Sequence, residues 1–202
     1  MHMHMKRILA AIVTLLAILV FASTLVHALY YAPESEIAIP AGIASSTPAA
    51  QASPDAQPAR LRIPSLGIDA SVQYVGITTA GNMGVPNNFT DVAWYKYGTL
   101  PGQVGSAVID GHVDNGLALA GVFKHLADIK TGADVYVVTK DGTKLRFIVE
   151  SAQAYPYKSV PTTLLFNRKD KARLNLVTCS GSWVKGDKTY DERLVVYTVL
   201  AS

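Results

Sequence analysis

Cysteine is all but missing from this chain: Cys179 is the only one among 202 residues. An intramolecular disulfide is thereby excluded, and no CxxC pair supports dithiol redox chemistry. A lone thiol keeps three roles: packing, metal binding or nucleophilic chemistry. The lack of disulfides does not decide the compartment, because the chain is long enough to build its own core. A basic excess is missing too. The formal charge is +3, but Lys6 and Arg7 precede the first apolar run and all 15 Asp/Glu follow it, which leaves the remainder close to neutral. Without a basic face, nucleic acid is not an expected partner. No Walker-type loop or dinucleotide fingerprint occurs, so nucleotide cofactors have no support.

The longest absence is of charge itself. Ile8 to Ala32 are 25 residues without a formal charge, rich in Ile, Leu, Val, Ala and Phe. A bilayer core of about 30 Å needs ~20 helical residues, so this run is long enough to span it. Lys6 and Arg7 on one flank, against Glu34 and Glu36 on the other, place the N-terminus in the cytoplasm and the rest outside. Tyr30 and Tyr31 fall where an interfacial aromatic belt belongs. A cleavable signal peptide, with Val26-His27-Ala28 as its cleavage site, is the competing reading. The run exceeds the usual apolar core of such peptides, which favours a retained single-pass anchor. His2 and His4 read as part of a loose tail rather than a metal site.

Residues 32–59 hold five of the ten prolines and no aromatic residue. Such a stretch buries too little to offset its ordering entropy and reads as a tether. The expected organisation is a cytoplasmic start and anchor over 1–31, a linker over 32–59 and a folded domain over 60–202. In that domain, 60–63, 68–75, 107–112, 135–139, 145–151, 173–178 and 194–200 read as strands, several with apolar and polar residues alternating. Helices are expected over 121–129, with Phe123, Leu126 and Ile129 on one side, and over 162–167. The fold class is all-β with short helices, as a closed or nearly closed antiparallel barrel.

Cys179 stands at the end of the apolar run Leu174-Asn175-Leu176-Val177-Thr178, where a strand is expected to stop. A thiol with an ordinary pKa near 8.5 is only a few per cent thiolate at pH 7, so a nucleophilic cysteine benefits from a nearby imidazole. Two histidines follow the tether. His112 ends an apolar run inside Gly111-His112-Val113-Asp114-Asn115-Gly116 and is expected to be exposed enough to act on substrate. His125 lies in the expected helix and is expected to face solvent. An acyl-transfer site also needs a donor where an oxyanion develops. Arg193 opens the last strand, and if that strand is the antiparallel neighbour of the one ending at Cys179, both side chains emerge at one rim. A surface ion pair with Asp191 or Glu192 is the alternative for Arg193. Asp114 is a candidate to orient His112; ordinary turn chemistry is the alternative for both residues.

These three residues, in the order His, Cys, Arg, carry a family resemblance. His112 in Asp-Gly-His-Val-Asp, Cys179 in Leu-Val-Thr-Cys-Ser-Gly and Arg193 in Glu-Arg-Leu-Val-Val-Tyr resemble the three signatures of the sortases, over about residues 60–202. Trp94-Tyr95, the stretch from Pro101 to Ile109 and Gly121-Val122-Phe123 are similar to the compact class F type, with classes D and E as alternatives. The resemblance implies an eight-stranded β-barrel preceded by a transmembrane helix and a linker. It implies a cysteine transpeptidase that cleaves an LPxTG-like sorting signal between Thr and Gly. Cys179 would be the nucleophile, His112 the acid and base, and Arg193 the holder of the carbonyl or oxyanion. Thr178 is implied as a substrate contact, and Asp114, Trp183 and Tyr190 are candidates for the same role. Val177 departs from the Leu-Thr pattern of many members. The partners implied are secreted proteins bearing sorting signals and a cell-wall precursor or pilin amine; no cofactor or metal is expected. Two other functions are weighed: a peptidoglycan-acting thiol hydrolase or transpeptidase, and a non-catalytic anchored binding domain.

Overall fold

The alternating segments close on themselves in the computed structural model, which describes residues 2–30, 37–40, 54–115 and 117–202. Eight strands form one barrel: β1 (Pro58–Ile63), β2 (Ile68–Val75), β3 (Val92–Tyr95), β4 (Gly105–Asp110), β5 (Asp134–Thr139), β6 (Lys144–Pro156), β7 (Ala172–Val184) and β8 (Thr189–Leu200). Their order around the barrel is β1-β2-β3-β4-β7-β8-β6-β5. In the closed part of the barrel each strand has a neighbour on both sides, which removes the free edges of an open sheet. The expectation of an antiparallel barrel needs correcting, because β2–β3 and β4–β7 run parallel. A parallel pair needs a crossover, and the stretch between β4 and β7 supplies one that carries β5 and β6 to the far side.

Both faces of the central strands are buried. Ala107 and Ile109 of β4, Leu174 and Leu176 of β7 and Val196 of β8 point into the barrel. Val108, Val177 and Val195 face outward into a second cluster with Tyr95, Leu165 and Phe166. The last two come from the short helix Thr162–Phe166, which matches its expected span to within one residue. The other expected helix does not form: 121–129 is a run of turns ending in the 3-10 turn Leu126–Asp128. Its N–H groups bond to the carbonyl three residues back, Lys124 to Gly121, Leu126 to Phe123 and Ile129 to Leu126, the pattern of successive turns rather than of an α-helical ladder. Phe123, Leu126 and Ile129 are nonetheless buried together.

The N-terminal helix His2–Tyr30 includes Met3–Val26, a stretch long and apolar enough to cross a membrane. The expectations for Tyr31, Glu34, Glu36 and most of the 32–59 tether lie outside the described residues. Where the tether is described, it is not bare. Ile37 is 1% exposed in the outer cluster, and its carbonyl accepts from Met83 N–H at 3.0 Å while Ile39 N–H donates to Gly81. Burying one such aliphatic side chain contributes about 1.5–3 kcal/mol, which together with these backbone bonds offsets part of the ordering entropy of a segment whose composition argues against order.

Candidate active site

Cys179 and Arg193 are directly opposed across the antiparallel β7–β8 pair. Opposed residues project to the same side of a sheet, so sulfur and guanidinium share one face, as the sequence led us to expect. Neither residue marks a strand end, however. β7 runs on to Val184 and β8 begins at Thr189, with Trp183 paired to Tyr190 past a bulge between Ser180 and Trp183. The two rings make an edge-on contact at 5.4 Å that ties the extended hairpin together.

His112 reaches this region through β4. Asp110 is level with Val177 in the parallel pair, and Gly111 N–H continues the ladder onto the Val177 carbonyl at 3.1 Å. That register sets His112 level with Cys179. Close packing fixes the loop: a Cβ on Gly111 would lie 2.6 Å from the Phe123 ring, and one on Gly121 would collide with the His112 carbonyl. Only glycine fits at either position, and the Asp-Gly-His motif acquires a steric reason.

The imidazole is not exposed, contrary to expectation: His112 is 5% exposed. Nε2 lies 2.8 Å from the Pro86 carbonyl, and the ring packs on Phe89 at 5.0 Å. A carbonyl only accepts, so Nε2 carries the hydrogen and the neutral ring keeps its lone pair on Nδ1. Burial holds the His112 pKa below its ordinary 6.5, against smaller upward pulls from the Pro86 carbonyl and the Asp114 charge. His112 is therefore neutral at pH 7. Because the folded ring binds a proton less readily than the unfolded one, its contribution to stability is present above pH 6.5 and erodes as the pH falls below it. An NMR titration of the His112 ring is expected to show a midpoint below 6.5; a midpoint at or above that value would contradict the burial argument. His125, by contrast, is exposed beside Asp128, as expected.

Arg193 is buried at 1% exposure. Nη1 donates to the carbonyls of Tyr190 and Glu192 at 2.9 Å each, Nη2 donates to Thr189 Oγ1 at 2.8 Å, and the guanidinium lies over the Tyr157 ring. Of the five N–H bonds of a guanidinium, Nε–H and one on Nη2 have no acceptor among the described residues. The surface ion pair considered for Arg193 does not form among the described residues, since the Asp191 carboxylate accepts from Ser182 N–H instead. Asp110 feels the Arg193 charge from the same outer face, yet burial dominates and raises its carboxyl to about 7.

A pocket of about 210 Å³ opens beside the thiol, lined among others by Thr178, Cys179, Ser180, Asp114, Lys124 and Tyr190. The Tyr190 hydroxyl donates to both carboxylate oxygens of Asp114, at 2.8 and 2.7 Å, and Lys124 Nζ pairs with Oδ2 at 3.1 Å. Asp114 thus acts on His112 only through its charge, while the Pro86 carbonyl orients the ring. Burial and the bond to Asp114 raise the Tyr190 pKa, with a further upward push from Cys179, which places the phenol in the electrostatic reach of the thiol. Trp183 is absent from the pocket wall; it is 42% exposed and packs on Tyr190.

The structure thus gathers Cys179, Thr178, Asp114 and Tyr190 at one pocket, sets Arg193 across from the thiol, and turns His112 into the protein. Asp110, Lys124 and Ser180 escaped the sequence reading. Asp110 carried a signal, being a carboxylate that directly follows the apolar run Ala107-Val108-Ile109. Among the described residues, no three His, Cys, Asp or Glu side chains group as metal ligands.

No curated protein sequence matches the chain significantly. Solved structures do, at the level of fold. Sortase A from Corynebacterium diphtheriae superposes with a TM-score of 0.55 at 23% identity over 72% of this chain. Streptococcus agalactiae sortase C1, solved with MTSET, gives 0.54 at 19% identity, over 71% of this chain and 66% of that one. A Clostridium perfringens sortase D5 transpeptidase gives 0.54 at 18% identity, over 72% and 79%. This chain covers 61% of the length of the Corynebacterium protein, less than two thirds. The family model of the sortase domain matches residues 61–201. That match takes in His112, Cys179 and Arg193 and the whole barrel from Leu61 onward: the chain belongs to the sortase family.

Proposed function

We propose that this protein is a membrane-anchored cysteine transpeptidase that cleaves an LPxTG-like signal between Thr and Gly and passes the acyl group to an amine. The observation that carries the reading is the opposition of Cys179 and Arg193 across β7 and β8. Cys179 gives its proton to His112, and the thiolate attacks the Thr carbonyl carbon. The oxyanion is held by the N–H groups that Arg193 has to spare. The C–S bond forms, the C–N bond breaks, and the Gly amine leaves with the proton from His112. An incoming amine then attacks the thioester and gives its proton to His112. The new C–N bond forms as the C–S bond breaks, and Cys179 recovers its thiol. Thr178 contacts the sorting signal. The compact class F type is the class we assign, on the motifs quoted above.

Lys6 and Arg7 ahead of the apolar helix support a cytoplasmic N-terminus and an extracytoplasmic barrel. The donors would be secreted proteins with sorting signals, and the acceptor a cell-wall precursor or pilin amine. The test is mass spectrometry of LPxTG-type peptides incubated with the full-length protein and several amines. Cleavage after Thr with the acyl group on the added amine is expected. Products that are free acids at every amine concentration would replace transfer with thiol hydrolysis.

A further inference from the structure

The pocket beside Cys179 contains more polar chemistry than its own contacts use. Thr178 is 2% exposed, and its Oγ1 has no hydrogen-bond partner among the described residues; Ser180 Oγ is in the same state. Both residues line the pocket with Asp114. A buried hydroxyl left unpaired is destabilising, so a polar ligand that satisfies it binds with that advantage. The third acceptor is the Asp114 carboxylate, whose side chain is 8% exposed. Tyr190 pins it from one side. On the other side sits the Lys124 ammonium, at 3.1 Å on a side chain 38% exposed.

We propose that this pocket binds the ammonium group of the acyl acceptor, a primary alkylamine, with Asp114 as its counter-ion and Thr178 and Ser180 as further acceptors. The inference rests on the transpeptidase reading above and assigns the second substrate of that reaction a place. Lys124 shows what the site takes: a primary ammonium on an unbranched carbon stem. It occupies the carboxylate from the rim, and its exposure lets it swing out when another ammonium arrives. Tyr190 keeps Asp114 in position during the exchange. An ammonium offers three N–H bonds and accepts none, which suits a wall of acceptors. Anions are repelled by Asp114, and alcohols bring no charge to it. The volume of about 210 Å³ admits an aminoalkyl end rather than a whole cell-wall unit, and leaves the remainder of the acceptor outside. Docked there, the ammonium first releases one proton to water, and the neutral amine, its lone pair now free, lies beside the thioester on Cys179.

The experiment uses the full-length protein, an LPxTG-type peptide, and propylamine, triglycine and propanol as acceptors. It reads the ratio of transfer to hydrolysis product and the half-saturating acceptor concentration. Both products arise from one thioacyl enzyme, so the ratio is independent of how fast that enzyme forms. Asp114→Asn is expected to raise the half-saturating amine concentration about tenfold or more, the worth of one charge-assisted hydrogen bond. Lys124→Gln removes the resident competitor and is expected to lower it several-fold. Propanol transfer is expected to respond to neither change. If Asp114→Asn fails to acylate, Lys124→Gln decides alone: an amine requirement unchanged or increased overturns the site. The site is overturned equally if both variants acylate and partition like the unaltered protein. Absence of an acyl mass on Cys179 of the unaltered protein with every peptide overturns the transpeptidase reading instead.

Discussion

Cys179→Ala is expected to lower turnover of an LPxTG-type peptide by on the order of 10⁶-fold, the scale on which removing a catalytic nucleophile acts in a comparable acyl-transfer enzyme. The barrel is expected to survive. Cys179 is half-buried and its strand is held by backbone pairing to both β4 and β8. Alanine keeps the Cβ and the strand geometry and removes a single sulfur. The neighbouring core side chains, Leu176 and Val177 on β7 and Val195 on β8, are untouched. Circular dichroism and a melting curve should therefore coincide with those of the unaltered protein to within a few degrees, while product mass spectrometry shows no acyl transfer. Serine is expected to do no better, because a hydroxyl is far less acidic than a thiol and a neutral His112 inside the protein is a weak base for it. Cleavage by Cys179→Ala at an undiminished rate would leave the thiol as a packing residue and return the chain to the class of anchored binding domains.

How far the sequence carries the site depends on where each part lies in the chain. Cys179 and Arg193 were readable as neighbours because one hairpin joins their strands, so short-range connectivity and alternation suffice. Ile68–Val75 was readable residue for residue, since its polar and apolar positions alternate. β3 was not, because all four of its residues are buried and no period survives. The parallel pairs β2–β3 and β4–β7 depend on long crossovers, which leave no local trace; the barrel's strand number came from family resemblance instead. The burial of His112 is set by Pro86 and Phe89, from a loop without periodicity. Ile37 illustrates the opposite failure. Its segment is composed like a tether, yet Ile37 and Ile39 already alternate around Ala38, and two backbone bonds to Gly81 and Met83 make use of that spacing.

The second large effect concerns a residue outside the acyl-transfer chemistry, Asp110. It projects to the outer face of β4, where Val108, Val177 and Val195 form the apolar surroundings. Burial there disfavours the charged carboxylate, and the Arg193 cation offsets only part of the cost, so the folded-state pKa stands at about 7 against an ordinary 3.8. Between these two values the folded protein keeps a proton that the unfolded chain has released. Stability therefore falls as the pH rises through that interval, is unaffected below about 3.8 and has lost the full amount above about 7. A gap of roughly three pKa units corresponds to about 4 kcal/mol. Asp110→Asn keeps the shape and removes the ionisation, so it should be nearly neutral at pH 4 and stabilising by about 4 kcal/mol at pH 8. Arg193 tolerates the change because both Nη1 donors and one on Nη2 are held by Tyr190, Glu192 and Thr189 whatever the charge on Asp110. Urea unfolding of both proteins between pH 4 and 8 measures the difference directly. A stability gap that does not widen with pH would mean that Asp110 is ionised in the folded protein throughout, stabilised by Arg193 more strongly than it is penalised by burial.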